Sequence, residues 1–400
     1  MGDLKVLIDK LNSEMSFNIC KDTEINEKGN VSHIITSAQK QIQSKTIQSI
    51  KKPDGQISNT DKDIRETIRE HCVNSYKKND IDRSCTKTLL DSIRDYTPIN
   101  CDSLKGEIKR EEVVQAIHQL NVGKSPGPDG LPTEFYQLNI EEVLHLLTSM
   151  LNEGLNKGVM ADSFYEGVLN LLYKKGDRSC IDNYRHLTLM NTDYKILAKI
   201  INNRLSSVLE KIIVKEQTCA VKGRYMWDNL STLRELSYSG QKDFFIVGLD
   251  QKKAFDYISR DYLWAAMEAY GLPKSFIDMV KCLYMKSSVK INVNGVLTKS
   301  FQVERGVKQG CPLSSALYVL AISPLIKSIN SDIKITGIPL GQSCLVKSIA
   351  YADDITVVIK NQVEMDVLTN HLNIFKGCIC KLYSNNIRMR MTTLNVYEVT

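Results

Sequence analysis

The chain has 400 residues, of which 42% are hydrophobic and 24% charged, and carries a formal net charge of +6, a composition that excludes a disordered chain and leaves room for two or three domains. Its longest apolar stretch, Ala316 to Ile326, is far short of the ~18 residues of a membrane span, and the start Met1-Gly2-Asp3-Leu4-Lys5-Val6 lacks the hydroxyl residue of a myristoylation signal, so the reading is a soluble protein. Eleven cysteines without a CxxC pair, a zinc-ligand spacing or a secretory signal argue for a reducing, intracellular setting in which they serve as buried apolar residues.

Residues 1 to 105 read as a polar, mostly helical N-terminal extension, with an amphipathic stretch over Ile64 to Tyr76 and a break at Pro53-Asp54-Gly55. Val113, Val114, Ile117 and Leu120 recur at helical spacing and predict a helix over Lys109 to Leu120. It ends before the loop Gly123-Lys124-Ser125-Pro126-Gly127-Pro128-Asp129-Gly130. An apolar helix over Ile140 to Leu155 and a strand over Val168 to Tyr173 follow, the strand opening into Lys174-Lys175-Gly176-Asp177. Residues 193 to 212 form the most regular helical pattern, with Tyr194, Leu197, Ile200, Ile201, Leu205, Val208, Leu209 and Ile212 on one side and most of the basic residues on the other.

Between Lys174 and Arg224 stand eleven Lys and Arg against five Asp and Glu, a local excess of six that equals the net charge of the whole chain. A surface facing a polyanion accounts for it, with Lys195, Lys199, Arg204 and Arg224 as candidate nucleic-acid contacts. A solvated helix face with unpaired lysines accounts for it equally. Phe244 to Leu249 is short and β-rich enough for a buried central strand, and it ends in Asp250. Ser259 caps a helix that runs through Tyr270 and stops at Gly271, with Pro273 beyond. A second helix, Phe276 to Tyr284, leads to two β-runs joined by Asn294-Gly295, the strongest short hairpin signal. The loop Arg305-Gly306-Val307-Lys308-Gln309-Gly310-Cys311-Pro312 then opens an apolar helix. Last come a strand over Leu345 to Tyr351, the pair Asp353-Asp354 at its turn, and a return strand over Ile355 to Ile359.

A bare Asp-Asp pair is most often a surface turn, since aspartate fills turns readily. Here Asp250 also ends a strand, and if the two strands are neighbours three carboxylates converge on one sheet edge. Because successive side chains on a strand point to opposite faces, only one member of the pair easily shares a site with Asp250. Hard oxygen donors with no His or Cys nearby suit Mg²⁺, with Mn²⁺ as a substitute, rather than Zn²⁺. Two such ions about 3.5 to 4 Å apart would activate a 3′-hydroxyl and stabilise a leaving pyrophosphate. Lys174, Lys175 and Arg185 would hold triphosphate oxygens, arginine by its bidentate fork. Phe255 is either the wall of a sugar pocket or an ordinary core aromatic. Gln309-Gly310 would let backbone approach a nucleotide closely.

Several blocks occur in order: Ser125 to Gly130; Asn183-Tyr184-Arg185; Asp193-Tyr194-Lys195-Ile196-Leu197; Gln217 through Gly223-Arg224; Leu249-Asp250 with Ala254-Phe255-Asp256; Arg305 to Leu313; and Tyr351-Ala352-Asp353-Asp354. In this order and at these separations the sequence resembles the reverse transcriptases of non-LTR retrotransposons, the long interspersed element group, from about Gly123 to Lys360. The resemblance implies an α+β right hand, an antiparallel palm sheet packed on helices. It places fingers with N-terminal palm elements at 106–240, the palm with its catalytic carboxylates at 241–375, and a divergent, truncated tail at 376–400. It makes Asp250 and Asp353 ligands of two Mg²⁺ ions and Asp354 an accessory carboxylate. Phe255 becomes the steric gate against ribonucleotides, Lys174 and Arg185 triphosphate contacts, and Gln309-Gly310 the loop under nucleotide and template.

The implied partners are an RNA template, a DNA primer and deoxynucleoside triphosphates, in target-primed cDNA synthesis in nucleus or cytoplasm, although no targeting run is visible. Two departures stand out. His186 follows Arg185 where the family has proline, and Lys376-Gly377-Cys378-Ile379-Cys380-Lys381 keeps only the glycine of the usual post-hairpin block. The chain is also expected to begin after the family's endonuclease and to stop before most of the thumb. The alternative is a catalytically inactive or co-opted remnant that at most binds nucleic acid.

Overall fold

Helices and strands follow one another along the chain largely where the hydrophobic periodicities place them. The computed structural model describes residues 46–94, 101–241, 244–341, 344–379 and 387–393. The expectation of loose helices over residues 1–45 lies outside them, and the unit described below begins at Ser49. Its longer helices are α1 (Asp61–Tyr76), α2 (Arg83–Asp91), α3 (Arg110–Gln119), α4 (Ile140–Lys157), α5 (Thr192–Ile212), α6 (Met226–Tyr238), α7 (Arg260–Ala269), α8 (Lys274–Cys282), α9 (Ser314–Ser331) and α10 (Gln362–Ile379). The strands that matter to the site are β1 (Glu166–Tyr173), β2 (Tyr184–Met190), β3 (Phe245–Gln251), β4 (Ser288–Val293), β5 (Val296–Leu297), β6 (Ser348–Tyr351), β7 (Asp354–Ile359) and β8 (Ile387–Thr393).

One sheet runs β6-β7-β3-β8 and is antiparallel throughout. A second, five-stranded sheet runs β2-β1-β4-β5, with the strand Phe301–Gln302 also on β4; β1 and β4 are parallel and the remaining pairs antiparallel. Asn294 and Gly295 take φ +53° and +86° between β4 and β5, the left-handed pair that a two-residue hairpin demands. Strand β3 lies inside its sheet, as its apolar run requires. Its second neighbour, β8, comes from the segment read as a divergent, truncated tail.

Ser259 caps α7 as expected, its hydroxyl accepting the Tyr262 N–H at 3.4 Å. Helix α9 is apolar on nearly every side and runs through the core, packed against α5, α7 and α10. Helix α5 corrects the sequence reading. All eight apolar positions named for it are buried, but so are Ile196, Ala198 and Arg204, while Lys195 and Lys199 are half-buried. With α3 on one side and α9 on another, it is mostly a core helix; Lys195, Lys199 and the exposed Lys211 keep to its less buried side, and Arg204 is the basic residue that departs from the reading. Cys72, Cys101, Cys219, Cys282, Cys311 and Cys378 are buried as expected, whereas Cys344 is exposed. No described helix is long and apolar enough to cross a membrane.

Candidate active site

Register decides whether the acids meet. Ile355 of β7 pairs with Leu249 of β3, so the β6–β7 turn lies beside the end of β3 that carries Asp250. Tyr351 pairs with Asp354, which leaves Ala352-Asp353 as the two-residue loop, with Ala352 left-handed at φ +53°. Asp250 and Asp353 line one cleft of about 490 Å³. Asp354 is the first residue of β7, exposed and not among the residues lining that cleft, so the alternation rule divides the pair as expected. Burial raises the pKa of the Asp353 carboxyl, the charges of Asp354 and Asp250 raise it further, and Lys174 opposes them.

A residue without an assigned role holds this turn. Gln217 is fully buried, its Oε1 accepting the Ala352 N–H at 2.8 Å and its Nε2 donating to the Ala352 carbonyl at 3.1 Å. Both backbone groups of a left-handed residue that would otherwise cost about 1–2 kcal/mol are thereby satisfied by one side chain. Gln217 opens a motif block in the sequence, yet nothing in local pattern reveals that its amide reaches a turn 135 residues away.

The opposite wall is cationic. Lys174 follows β1, Arg185 stands on β2 opposite Leu172, and both line the cleft exposed, with no ion pair among the described residues. Lys175 does not line it. Lys252 and Lys253 also reach the cleft but are matched by Asp182, at 2.7 and 3.1 Å.

Phe255 and Gln309 also line the cleft. The Phe255 ring stacks on Tyr318 at 4.6 Å and 15°, and the Tyr318 hydroxyl is fixed by donation to Gln251 Oε1 at 2.7 Å. The loop bearing Gln309 lies flat on the helical turn Ala254–Tyr257: Val307 N–H donates to the Phe255 carbonyl at 2.9 Å, and a Cβ on Gly306 would stand 2.5 Å from the Asp256 carbonyl oxygen. Gly310 is not among the lining residues; its left-handed backbone packs on β2, with the Thr188 carbonyl oxygen 3.2 Å from where a Cβ would be.

Two of the basic candidates have structural places. Arg204 is buried with all five N–H donors engaged: Nε and Nη2 bond Glu112 at 2.7 Å each, Nη2 also bonds the Glu107 carbonyl, and Nη1 faces the Gly106 carbonyl and Met279 Sδ. Nothing remains for a phosphate, so its reading as a nucleic-acid contact is corrected. Arg224 closes the C-terminal end of α5, its two terminal nitrogens bonding the carbonyls of Glu210, Ile213, Val214 and Gln217. This too replaces the expected phosphate contact. Burial lowers the pKa of Lys195, and neighbouring Asp129 opposes the shift.

Among the described residues no three His, Cys, Asp or Glu side chains converge into a closed metal cage. Asp250 and Asp353 supply two hard carboxylates, and a cation would offset the burial and the neighbouring acid charges that raise the Asp353 pKa. That donor set fits a divalent ion completed by water and substrate phosphates. A second cleft, about 520 Å³ between α6 and the strand Ile338–Leu340, contains Arg234 and Glu235 but no converging acids.

Residues 173–390 match the family model described as reverse transcriptase (RNA-dependent DNA polymerase). The Transposon TX1 uncharacterized 149 kDa protein of Xenopus laevis is 34% identical over 76% of this chain and 23% of its own length. The Pol polyprotein of the type-2 retrotransposable element R2DM of Drosophila melanogaster is 26% identical over 62% of this chain and 23% of its own. The RNA-directed DNA polymerase from mobile element jockey of Drosophila funebris is 24% identical over 82% and 36% respectively. The chain thus spans roughly a quarter to a third of the length of these relatives.

Proposed function

The chain belongs to the reverse transcriptase (RNA-dependent DNA polymerase) family, and on that premise we propose that it adds deoxynucleotides to a DNA primer on an RNA template, the polymerase step of target-primed cDNA synthesis by a non-LTR retrotransposon. The observation that carries this reading is the bipolar cleft, with Asp250 and Asp353 on one wall and Lys174 and Arg185 on the other. A metal-bound polyphosphate matches such a division. In the right-hand description, the β6-β7-β3-β8 sheet is the palm, and the β1–β2 hairpin with its cations belongs to the fingers.

The 3′-oxygen of the primer bonds the α-phosphorus of the incoming nucleotide while the bond to the β-phosphate breaks and pyrophosphate leaves. When bound at Asp250 and Asp353, two Mg²⁺ ions, or Mn²⁺ in their place, would acidify the 3′-hydroxyl and neutralise charge on the phosphates. Gln217 presets the turn so that Asp353 needs no rearrangement to serve. Arg185 clamps phosphate oxygens by its fork and Lys174 as a point charge. Phe255, held by its stack on Tyr318, cannot yield to a 2′-hydroxyl and so favours deoxynucleotides. Primer extension on an RNA template with Mg²⁺, comparing the chain with Asp353→Ala, tests the proposal. Incorporation by the wild type alone supports it; a folded wild type that incorporates nothing leaves the inactive, nucleic-acid-binding remnant as the reading.

A further inference from the structure

We propose that Tyr76 and His186 are positioning residues of the cleft, which act through Asp256 to hold the side-chain amide of Gln309. The inference rests on the polymerase reading and deepens it, because Tyr76 ends α1, outside the segment that matches the family model.

The contacts form a directed chain. The Tyr76 hydroxyl donates to Asp256 Oδ1 at 3.1 Å and lies 2.9 Å from His186 Nδ1. A hydroxyl has one proton, so Tyr76 must accept from an Nδ1–H of His186, which fixes the tautomer. His186 Nε2, buried and without a partner among the described residues, is then a bare acceptor rather than a stranded N–H. Burial, with the charges of Lys253 and His71, lowers the His186 pKa well below its ordinary value, so the ring is neutral as this chain requires. At the far end Gln309 Nε2 donates to Asp256 Oδ2 at 3.4 Å. The cavity among Tyr76, Asp256 and Gln309 is only about 10 Å³, room for at most one water.

Backbone contacts bring the same parts together. Glu304 N–H donates to the Tyr76 carbonyl at 3.0 Å and Arg305 Nε to the Ser75 carbonyl at 2.6 Å, so the end of α1 grips the loop that carries Gln309. The departure at position 186 acquires a reason, since a proline there offers Tyr76 no nitrogen.

The chain also has a pH direction. Asp256 is faced by Tyr76 and Cys72 from α1, His186 from β2, Lys253 from its own turn and Arg305 from the loop; burial dominates and raises its pKa to about 7. Below that pH the acid gains a proton and offers Gln309 a weaker acceptor; above it the carboxylate holds the amide.

Selective ¹⁵N-glutamine labelling of the full chain, with the Gln309 signal assigned by its loss in Gln309→Ala, reads the geometry directly. The wild-type amide should exchange slowly and shift as pH crosses 7, and Tyr76→Phe should abolish both behaviours. In RNA-templated primer extension, Tyr76→Phe should raise the KM for deoxynucleotide about ten-fold with kcat within about two-fold. Adding Gln309→Ala should raise it no further. An unchanged Gln309 signal in Tyr76→Phe, or effects that multiply in the double variant, would overturn the proposal. Should Tyr76→Phe not fold, Asp256→Asn takes its place. A folded wild type that incorporates nothing sinks the polymerase reading, while the amide signal still decides whether these residues position Gln309.

Discussion

Two stretches of like charge, Lys174 to Arg185 and Lys195 to Arg224, lie close in sequence and fold to different ends. The first spans the loop end of the β1–β2 hairpin, where Lys174 and Arg185 stand exposed in the cleft. The second runs along and beyond a core helix, where Arg204 is saturated by Glu112 and backbone carbonyls and Arg224 closes the helix end. A guanidinium is available to a ligand only where no nearby carbonyl or carboxylate has claimed its donors. Burial on a packed helix creates that competition, and a strand end facing a cleft avoids it.

The largest effect should come from the acids that face the exposed stretch. Asp353→Ala should reduce incorporation about 10³-fold or more. Its fold should be kept, because the substitution removes a carboxylate whose charge Asp250 and Asp354 oppose. Activity within ten-fold of wild type would separate Asp353 from the chemistry. Next comes Arg204→Ala, which leaves Glu112 and the Gly106 and Glu107 carbonyls without the guanidinium and should cost about 1–3 kcal/mol in denaturant unfolding while the folded fraction keeps its nucleotide KM.

The sign of the pH dependence is fixed by Glu112. Burial opposes its ionisation most strongly, but the Arg204 hydrogen bonds, the Lys109 N–H and the charges of Arg204 and Lys109 together leave its pKa below the ordinary 4.5. The pair's stabilisation is therefore complete above pH 4.5 and is lost as pH falls through the depressed folded value. Arg204→Ala should flatten that acid limb. Arg185→Ala is the mirror image, with the deoxynucleotide KM raised about ten- to a hundred-fold and stability within about 0.5 kcal/mol of wild type. A larger KM effect from Arg204→Ala than from Arg185→Ala would erase the distinction between the two stretches.

What the sequence revealed follows the range of the forces involved. Local patterns located β3, the Asn294-Gly295 hairpin, the Ser259 cap and the turn at Asp353, because turn chemistry and periodicity act over a few residues; Asp354, read with Asp353 at that turn, instead opens β7. The ordered motif blocks named Asp250, Asp353, Arg185, Phe255 and Gln309, and the basic run after a strand named Lys174; the fold gathers all six in one cleft. Invisible were the long-range polar contacts: Gln217 on Ala352, Tyr76 on Asp256, Arg204 on Glu112. Each joins residues about 90 to 180 positions apart and depends on which polar atoms are buried together. The pairing of β8 with β3 was hidden likewise, since a strand at a sheet edge needs little apolar pattern.

The smallest effect probes the two lysines that α5 leaves half-buried. Each phosphate contact by a cation contributes about 0.7 to the slope of log binding constant against log salt for a single strand, and about 0.9 for duplex. Lys195 has Asp129 beside it, so its charge is already partly compensated, whereas Lys199 has no ion-pair partner among the described residues. Lys199→Gln should lower the salt slope of RNA–DNA binding by at most about one contact, and Lys195→Gln should leave it unchanged. Arg204→Lys should leave it unchanged as well, because an arginine enclosed by Glu112 and the backbone releases no counterion from nucleic acid. Equal slope changes for Lys195→Gln and Arg204→Lys would mean that α5 meets the nucleic acid along its length, a geometry that the packing of α3 and α9 against it opposes.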